Sequence, residues 1–385
     1  MLGVIYQFYY EGGDTFTYFT LGSKWIWRAF MDDPFVGFNL IFGAGDITGE
    51  NFQYAQHIYS FGDTASYFVV RVAGFFDILT FSTYSSTALL FATFGFAGQW
   101  AMYLSFVRFF PAISKYLAYV ILFLPSLFFW GSGLLKDTLT LGALGFLFYG
   151  ITDFIQFKKS PVINIVLAVI GFWIIYTVKI YIVACFIPAV VIWTAYFYQD
   201  KVKNIILRLV IAPIILGSAV GLAGYAAFKV GEDNDRYSFE SLAFTAESTA
   251  KWNYYVSNRD KGSGYTLGDF DFSFFGLASK FVPAVITSFF RPFLWEVRNP
   301  VMLLSALENL VIIWLVLNTL INLKRLNILS KYPILILCLL FAIFFGFAVG
   351  VTTYNFGSLV RYRIPMIPFL LAVLIAVKYK SRIVE

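Results

Sequence analysis

Apolar runs of about twenty residues recur along most of this chain, cut by short polar stretches in which lysine and arginine gather. A bilayer core about 30 Å thick takes about twenty residues of helix. The runs 84–107, 113–131, 137–155, 205–229, 300–322 and 333–353 meet that length, and 364–379 comes close to it. The stretch 161–198 is too long for one span and carries Lys179 at its middle. It predicts two helices, 161–178 and 180–198, in a tight hairpin with Lys179 at the turn near an interface. Nine spans follow.

The first 83 residues follow a different pattern. Residues 1–10 are apolar but shorter than a span, as if a first helix were missing or the start codon misassigned. Residues 20–42 set Trp25, Trp27, Phe30, Phe35, Phe38 and Leu40 among Lys24, Arg28, Asp32 and Asp33. Residues 65–81 set Arg71 and Asp77 among Tyr, Phe and Val. Both patterns predict amphipathic helices lying along the membrane plane. A short tilted span with buried charges is the alternative for 65–81. The long polar run 230–275 opens on Glu232, Asp233 and Asp235, then predicts a short helix from Ser238 to Val256 and a Gly-rich turn at Gly262–Tyr265. An apolar stretch, 276–290, follows. The expected architecture is an all-α polytopic membrane protein with one transmembrane domain, 1–385. It comprises an outer interfacial region (1–83), a first helix bundle (84–229), an outer loop with an interfacial helix (230–299) and C-terminal helices (300–385).

Composition agrees with a membrane chain. The sequence is 59% hydrophobic and only 13% charged, too little charge to cover a soluble protein of 385 residues. Forty-six Phe and twenty-five Tyr suit a surface that meets lipid and headgroups. The net charge of +6 does not indicate nucleic-acid binding, because the cations cluster between apolar runs, where they set topology. Arg108 with Lys115, Lys158-Lys159, Lys201 with Lys203, Lys324-Arg325 with Lys331, and the Lys378–Arg382 tail all fall on one face of a nine-span chain. That face is expected to be cytoplasmic. Cys185 and Cys338 lie in apolar segments, so no disulfide framework or thiolate metal site is expected. A single histidine, His57, excludes a His-rich metal site and reads as an ordinary surface residue. Residues 1–10 lack the basic start and long apolar core of a signal peptide.

Charges kept within or beside spans are costly and have a functional or pairing reason. On the expected outer face these are Asp14, Lys136, Asp137, Lys179, Arg291, Glu296, Arg298, Arg361 and Arg363. A carboxylate among cations suits a reaction in which a base takes a hydroxyl proton while cations hold a departing phosphate. Arginine fits that phosphate well, since its planar fork reaches two oxygens. Each residue also has a structural reading. Asp14, in Gly12-Gly13-Asp14-Thr15, suits a turn or helix cap. Lys136-Asp137 suits a helix start with a local ion pair, and Arg361 and Arg363 suit interface anchors. Glu308 lies inside a span, where a basic group, Lys179 for one, would pair with it. Asp269 and Asp271 have the spacing of a metal–diphosphate pair and are the only indication of a divalent metal; no other cofactor is indicated.

With Glu11-Gly12-Gly13-Asp14 followed by two interfacial helices, the chain resembles the GT-C superfamily of polytopic glycosyltransferases that use polyprenyl-phosphate-linked sugars. The resemblance implies that Asp14 alone is the catalytic base; Glu11 would only support it. The segments Phe123–Ser126 to Lys136-Asp137, Arg291–Glu296 and Gly357–Arg363 are similar to those of bacterial cell-surface polysaccharide membrane proteins, polymerases among them. Arg361 and Arg363, then Arg291 and Lys136, would hold the lipid phosphate, with Asp137 and Glu296 in support. The implied partners are a polyprenyl-phosphate sugar donor, a glycan, lipid or protein acceptor, and membrane lipid. Two departures stand out: the family's first helix is missing, and there is no large soluble C-terminal domain. A polysaccharide polymerase or ligase using a lipid-diphosphate glycan, and a non-enzymatic transporter or assembly subunit, are the competing readings.

The topology has a direct test. Single cysteines replacing Ser160 and Ser263 in a background without Cys185 and Cys338 should label from opposite faces, with Ser263 outside. Equal protection, or the reverse, would overturn the orientation.

Overall fold

A computed structural model describes residues 2–158, 160–199, 248, 251–252, 255, 264–268, 274–298 and 300–384. Apart from one bridge between Gly264 and Asn355, the regular structure among these residues is helical. Five helices are long and apolar enough to cross a membrane: 84–109, 136–157, 161–198, 300–321 and 334–352. A sixth span results if 356–362 and 367–378, bent by 70°, are taken as one. The chain is therefore a helical membrane protein. The expected span 205–229, the acidic opening at 232–235, most of the 238–256 helix, and Asp269 and Asp271 lie outside the described residues.

Two compact units emerge, residues 1–108 with 121–180, and 109–120 with 181–385. In chain order the helices are α1 (Leu2–Phe8), α2 (Asp14–Tyr18), α3 (Lys24–Asp32), α4 (Pro34–Phe42), α5 (Phe52–Ala55), α6 (Thr64–Thr80), α7 (Tyr84–Phe109), α8 (Ser114–Leu122), α9 (Pro125–Trp130), α10 (Lys136–Thr152) and α11 (Pro161–Gln199). A π-helical turn, Phe19–Ser23, joins α2 to α3, and another, Asp153–Phe157, extends α10.

Two sequence expectations change for local reasons. The helix expected over 20–42 is two helices, because Pro34 cannot continue α3 and the Asp33 side chain caps α4 by accepting from the Phe35 amide at 2.9 Å. The span expected over 113–131 is broken between α8 and α9. Leu124, held extended by the following Pro125, stops the helix (φ −67°, ψ 129°). The run 161–198 is broken where two helices were expected to meet: within it only Lys179 leaves helical geometry (φ −148°, ψ 74°). At 17 residues, α6 is not among the helices long and apolar enough to span.

In the first unit α10 is buried on every side, as expected of a helix without a polar face. Glycines let its neighbours approach. A Cβ on Gly98 of α7 would lie 1.9 Å from the Gly142 carbonyl oxygen, and one on Gly145 would lie 1.9 Å from that of Gly98. On the other side, a Cβ on Gly171 of α11 would stand 2.5 Å from the Ala143 oxygen. Lipid tails are as apolar as side chains, so close van der Waals packing is what holds such helices together. α6 closes over the α3–α4 pair by serving the end of α4. Tyr67 donates to Leu40 O at 2.7 Å and Arg71 to Gly43 O at 2.7 Å, supplying partners to carbonyls that a helix end leaves open.

The second unit contains α12 (Phe274–Ser279), α13 (Phe281–Phe290), α14 (Pro300–Ile321), α15 (Ile328–Lys331), α16 (Ile334–Thr352), α17 (Phe356–Tyr362), α18 (Ile367–Lys378) and α19 (Lys380–Val384). α18 is its core: every residue from Ile367 to Val377 is buried. α16 packs on α13 through Gly350, whose added Cβ would come 2.3 Å from Ala284 O.

The glycine seam between α7 and α10 predicts that Gly98→Ala, which sets a methyl against backbone, destabilises the protein by at least the roughly 1–3 kcal/mol of an overpacked core. Gly49→Ala, with nothing within 4 Å of the added carbon, should change little. Thermal unfolding of the purified variants in detergent measures both.

Candidate functional site

The opening segment is shaped by three successive residues of positive φ, two of them glycine. Glu11, Gly12 and Gly13 have φ of 54°, 140° and 119° in succession. A side chain on Gly13 would also lie 2.8 Å from the Tyr6 ring. The turn delivers Asp14 to the first position of α2, after the Gly13 N-cap, where its charge complements the helix start. The next residue, Thr15, is hydrogen bonded to the Tyr84 hydroxyl at 2.8 Å, and Phe16 stacks on the Tyr84 ring at 4.8 Å. These contacts fix α2 to the start of α7. Glu11 is exposed.

Asp14 stands near the start of α10. Its carboxylate is close enough to Lys136 for their charges to interact. The Lys136 ammonium donates to Asp63 Oδ2 at 3.4 Å. Asp63 also caps α6, accepting from the Ala65 amide at 3.3 Å and from the Ser66 hydroxyl. Burial pushes the Asp63 carboxyl up, but the Ser66 hydrogen bond and the Lys136 charge outweigh it and hold the group below its ordinary value. Behind this half-exposed row, Asp137 is buried and accepts from Lys179 Nζ at 2.5 Å. The charges therefore alternate: Asp14, Lys136 and Asp63 at the rim, Asp137 and Lys179 beneath. The structure brings together Asp14, Lys136 and Asp137 from the sequence-predicted set and adds Asp63 and Lys179 as their partners.

Arg291, Glu296, Arg361 and Arg363 belong to the second unit. Arg291 pairs with Glu296, its Nε donating at 2.9 Å and its Nη2 to the same oxygen, while its guanidinium lies 5.1 Å from the Tyr265 ring and 4.9 Å from that of Phe356. Arg363 is wholly buried at the break between α17 and α18. Its Nη1 donates to Ser288 O at 3.1 Å and Arg291 O at 2.9 Å, and its Nη2 to Asn309 Oδ1 at 2.5 Å. A guanidinium so engaged terminates α13 and props the bend. Glu308, next to Asn309 on α14, adds its charge to Arg363. Arg361 is half-buried in the last turn of α17, its guanidinium 6.0 Å from the Tyr362 ring.

Tyr265 and Asp77 are not among the candidate site residues of the sequence. The Tyr265 amide donates to Tyr354 O at 3.1 Å and its hydroxyl meets Thr353 Oγ1 at 2.7 Å, pinning the segment before α12 onto the α16–α17 corner. Burial holds its phenol far above the ordinary value. Asp77, buried on α6, accepts from the Thr87 hydroxyl at 2.5 Å. No local signal marks either residue, since both partners lie elsewhere in the chain. Asp63, also absent from the predicted set, does carry a local signal, since Asp63-Thr64-Ala65-Ser66 has cap chemistry. His57 stacks on Trp25 at 4.2 Å. Among the described residues no three His, Cys, Asp or Glu side chains gather as a metal site.

Burial raises the Asp77 carboxyl, and the hydrogen bonds from Thr87 and its neighbours only partly offset this. A carboxyl raised on folding stabilises the protein fully below its unfolded value of about 3.9, and this contribution is lost as pH climbs through the folded value. Asp77→Asn removes that loss. Its melting temperature relative to wild type should increase from about pH 4 upward and level off above the folded pKa; a difference constant with pH would refute the raised carboxyl. The chain matches no protein-family model, and no curated protein or solved structure is significantly similar to it.

Proposed function

We propose that this protein is a GT-C-like glycosyltransferase that moves a sugar from a polyprenyl-phosphate-linked donor to an acceptor hydroxyl at the extra-cytoplasmic face of a bacterial inner membrane. The observation that carries the reading is the rim of the first unit: Asp14 on a glycine turn, within electrostatic reach of a Lys136 that Asp63 positions. Sugar transfer needs those two charges together. The acceptor oxygen attacks the anomeric carbon, the bond from that carbon to the phosphate oxygen breaks, and the hydroxyl proton passes to the Asp14 carboxylate. Lys136 lies beside the base and supplies positive charge to the departing lipid phosphate. The buried Asp137–Lys179 pair anchors the start of α10 from behind and so fixes where Lys136 stands. The resemblance to the GT-C superfamily supports the donor by analogy; the charge arrangement supports the chemistry.

Asp14→Asn keeps the shape of the side chain and cannot take the proton. With a panel of polyprenyl-phosphate sugars and the protein in proteoliposomes, its turnover should fall by roughly 10²–10⁴-fold with little change in donor KM. Lys136→Gln should raise donor KM as well, because a charged contact to phosphate is lost. Arg361→Gln forms a separate arm that reports whether the second unit contributes to donor binding. Wild-type transfer by a folded Asp14→Asn protein would remove the base and favour the polymerase or ligase reading, which needs no carboxylate in the opening loop.

A further inference from the structure

One end of the second unit gathers positive charge, and among the described residues no carboxylate pairs with it. From Asn309 to Val384 the sequence contains no Asp or Glu. Lys324 and Arg325 follow α14, Lys331 precedes α16, and Lys378, Lys380 and Arg382 close α18 and form α19. These ends meet in space. Arg325 Nη1 donates to Lys378 O at 3.0 Å, Lys380 Nζ donates to Asn327 Oδ1, and the Tyr332 hydroxyl reaches Ile383 O at 3.4 Å. Among the described residues none of the six cations forms an ion pair.

Aromatic rings hold this charge in place. Tyr116 and Tyr379 stack at 4.1 Å with an interplanar angle of 16°. The Arg382 guanidinium lies 5.7 and 5.3 Å from their ring centroids, and its Nη1 donates to the Tyr116 hydroxyl at 3.3 Å. Lys378 Nζ sits 3.7 Å from the Trp314 ring centroid. Tyrosine and tryptophan with adjoining cations are the side chains that settle at headgroup depth. Next to them Leu317, Leu320, Ile321 and Leu323 are exposed, a surface suited to acyl chains.

We propose that this end of the second unit is a docking site for the headgroups of anionic phospholipids in the leaflet it faces. Six cations at the ends of three apolar helices repel one another, and the negative charge of such a leaflet relieves that repulsion. Arg382, held on two stacked rings, presents a planar donor set to a phosphodiester. The exposed leucines and Ile321 make the phosphate of a lipid, not a free ion, the complementary ligand. Setting the orientation of the chain during insertion requires charge alone and involves no saturable binding, which separates the two roles experimentally.

The test uses the full-length protein in nanodiscs of phosphatidylcholine containing a minor fraction of phosphatidylglycerol, with the co-purifying lipids counted by mass spectrometry. Wild-type protein should retain phosphatidylglycerol several-fold above its share of the bilayer, saturably. The triple variant Lys378→Gln, Lys380→Gln, Arg382→Gln should bind it about tenfold more weakly or worse. Arg382→Gln alone, which leaves the helix ends intact, should show a smaller loss in the same direction and serves if the triple variant does not fold. Millimolar inorganic phosphate should not displace the lipid. No enrichment in wild type, unchanged binding in Arg382→Gln, or displacement by free phosphate would each overturn the proposal.

Discussion

The ion pair between Lys179 and Asp137 is the constraint on which the first unit rests. Each charge alone in an apolar helical interior would cost several kcal/mol, and removing one partner of such a pair typically costs about 3–5 kcal/mol. Their contact at 2.5 Å decides where the chain may bend and where α10 must begin. α11 gives up helical geometry at Lys179 alone, and α10 starts one residue before Asp137. Between these fixed points the glycine seams bring α7, α10 and α11 into backbone contact, an arrangement that leaves no room for α10 to slide. Lys136, the neighbour of Asp137, is carried to the rim as a consequence. The electrostatic site is thus a product of the packing beneath it.

Arginine has a second structural use in both units. Arg71 serves the end of α4, and Arg363 serves the end of α13, each by donating to carbonyl oxygens that a terminating helix leaves without partners. Where packing keeps water from a helix end, a guanidinium with five fixed donors is an effective substitute. A cation beside a span is therefore not by itself a ligand for substrate. Arg363 and Arg361, two residues apart in sequence, illustrate the difference: one is wholly buried among backbone oxygens, the other half-buried at the end of α17.

Hydropathy alone established the class of this protein, because about twenty apolar residues suffice to identify a spanning helix whatever surrounds it. The long helices at 84–109, 136–157, 300–321 and 334–352 follow the sequence pattern closely. So do the special turn at Gly12-Gly13, where positive φ leaves little choice of residue, and the importance of Lys179, whose charge stands out in an apolar run. Where the pattern failed, a proline or a single distant contact intervened. Pro34 and Pro125 broke helices that hydropathy joined, and Asp137 turned an expected interface lysine into a buried one.

The tertiary structure decided which charges meet. Asp63 and Lys136 are 73 positions apart, and Arg363 and Ser288 are 75 apart. Nothing in local composition encodes such pairings, since each residue is equally consistent with a helix cap or a headgroup anchor. Only packing, which carries α6 and α2 to the start of α10 and α13 to the α17–α18 bend, turns isolated charges into pairs. The sequence determined that the chain lives in a membrane and which residues are costly to keep there; the fold alone determined what balances them, because a buried charge is satisfied by its neighbours in space and not by its neighbours in the chain.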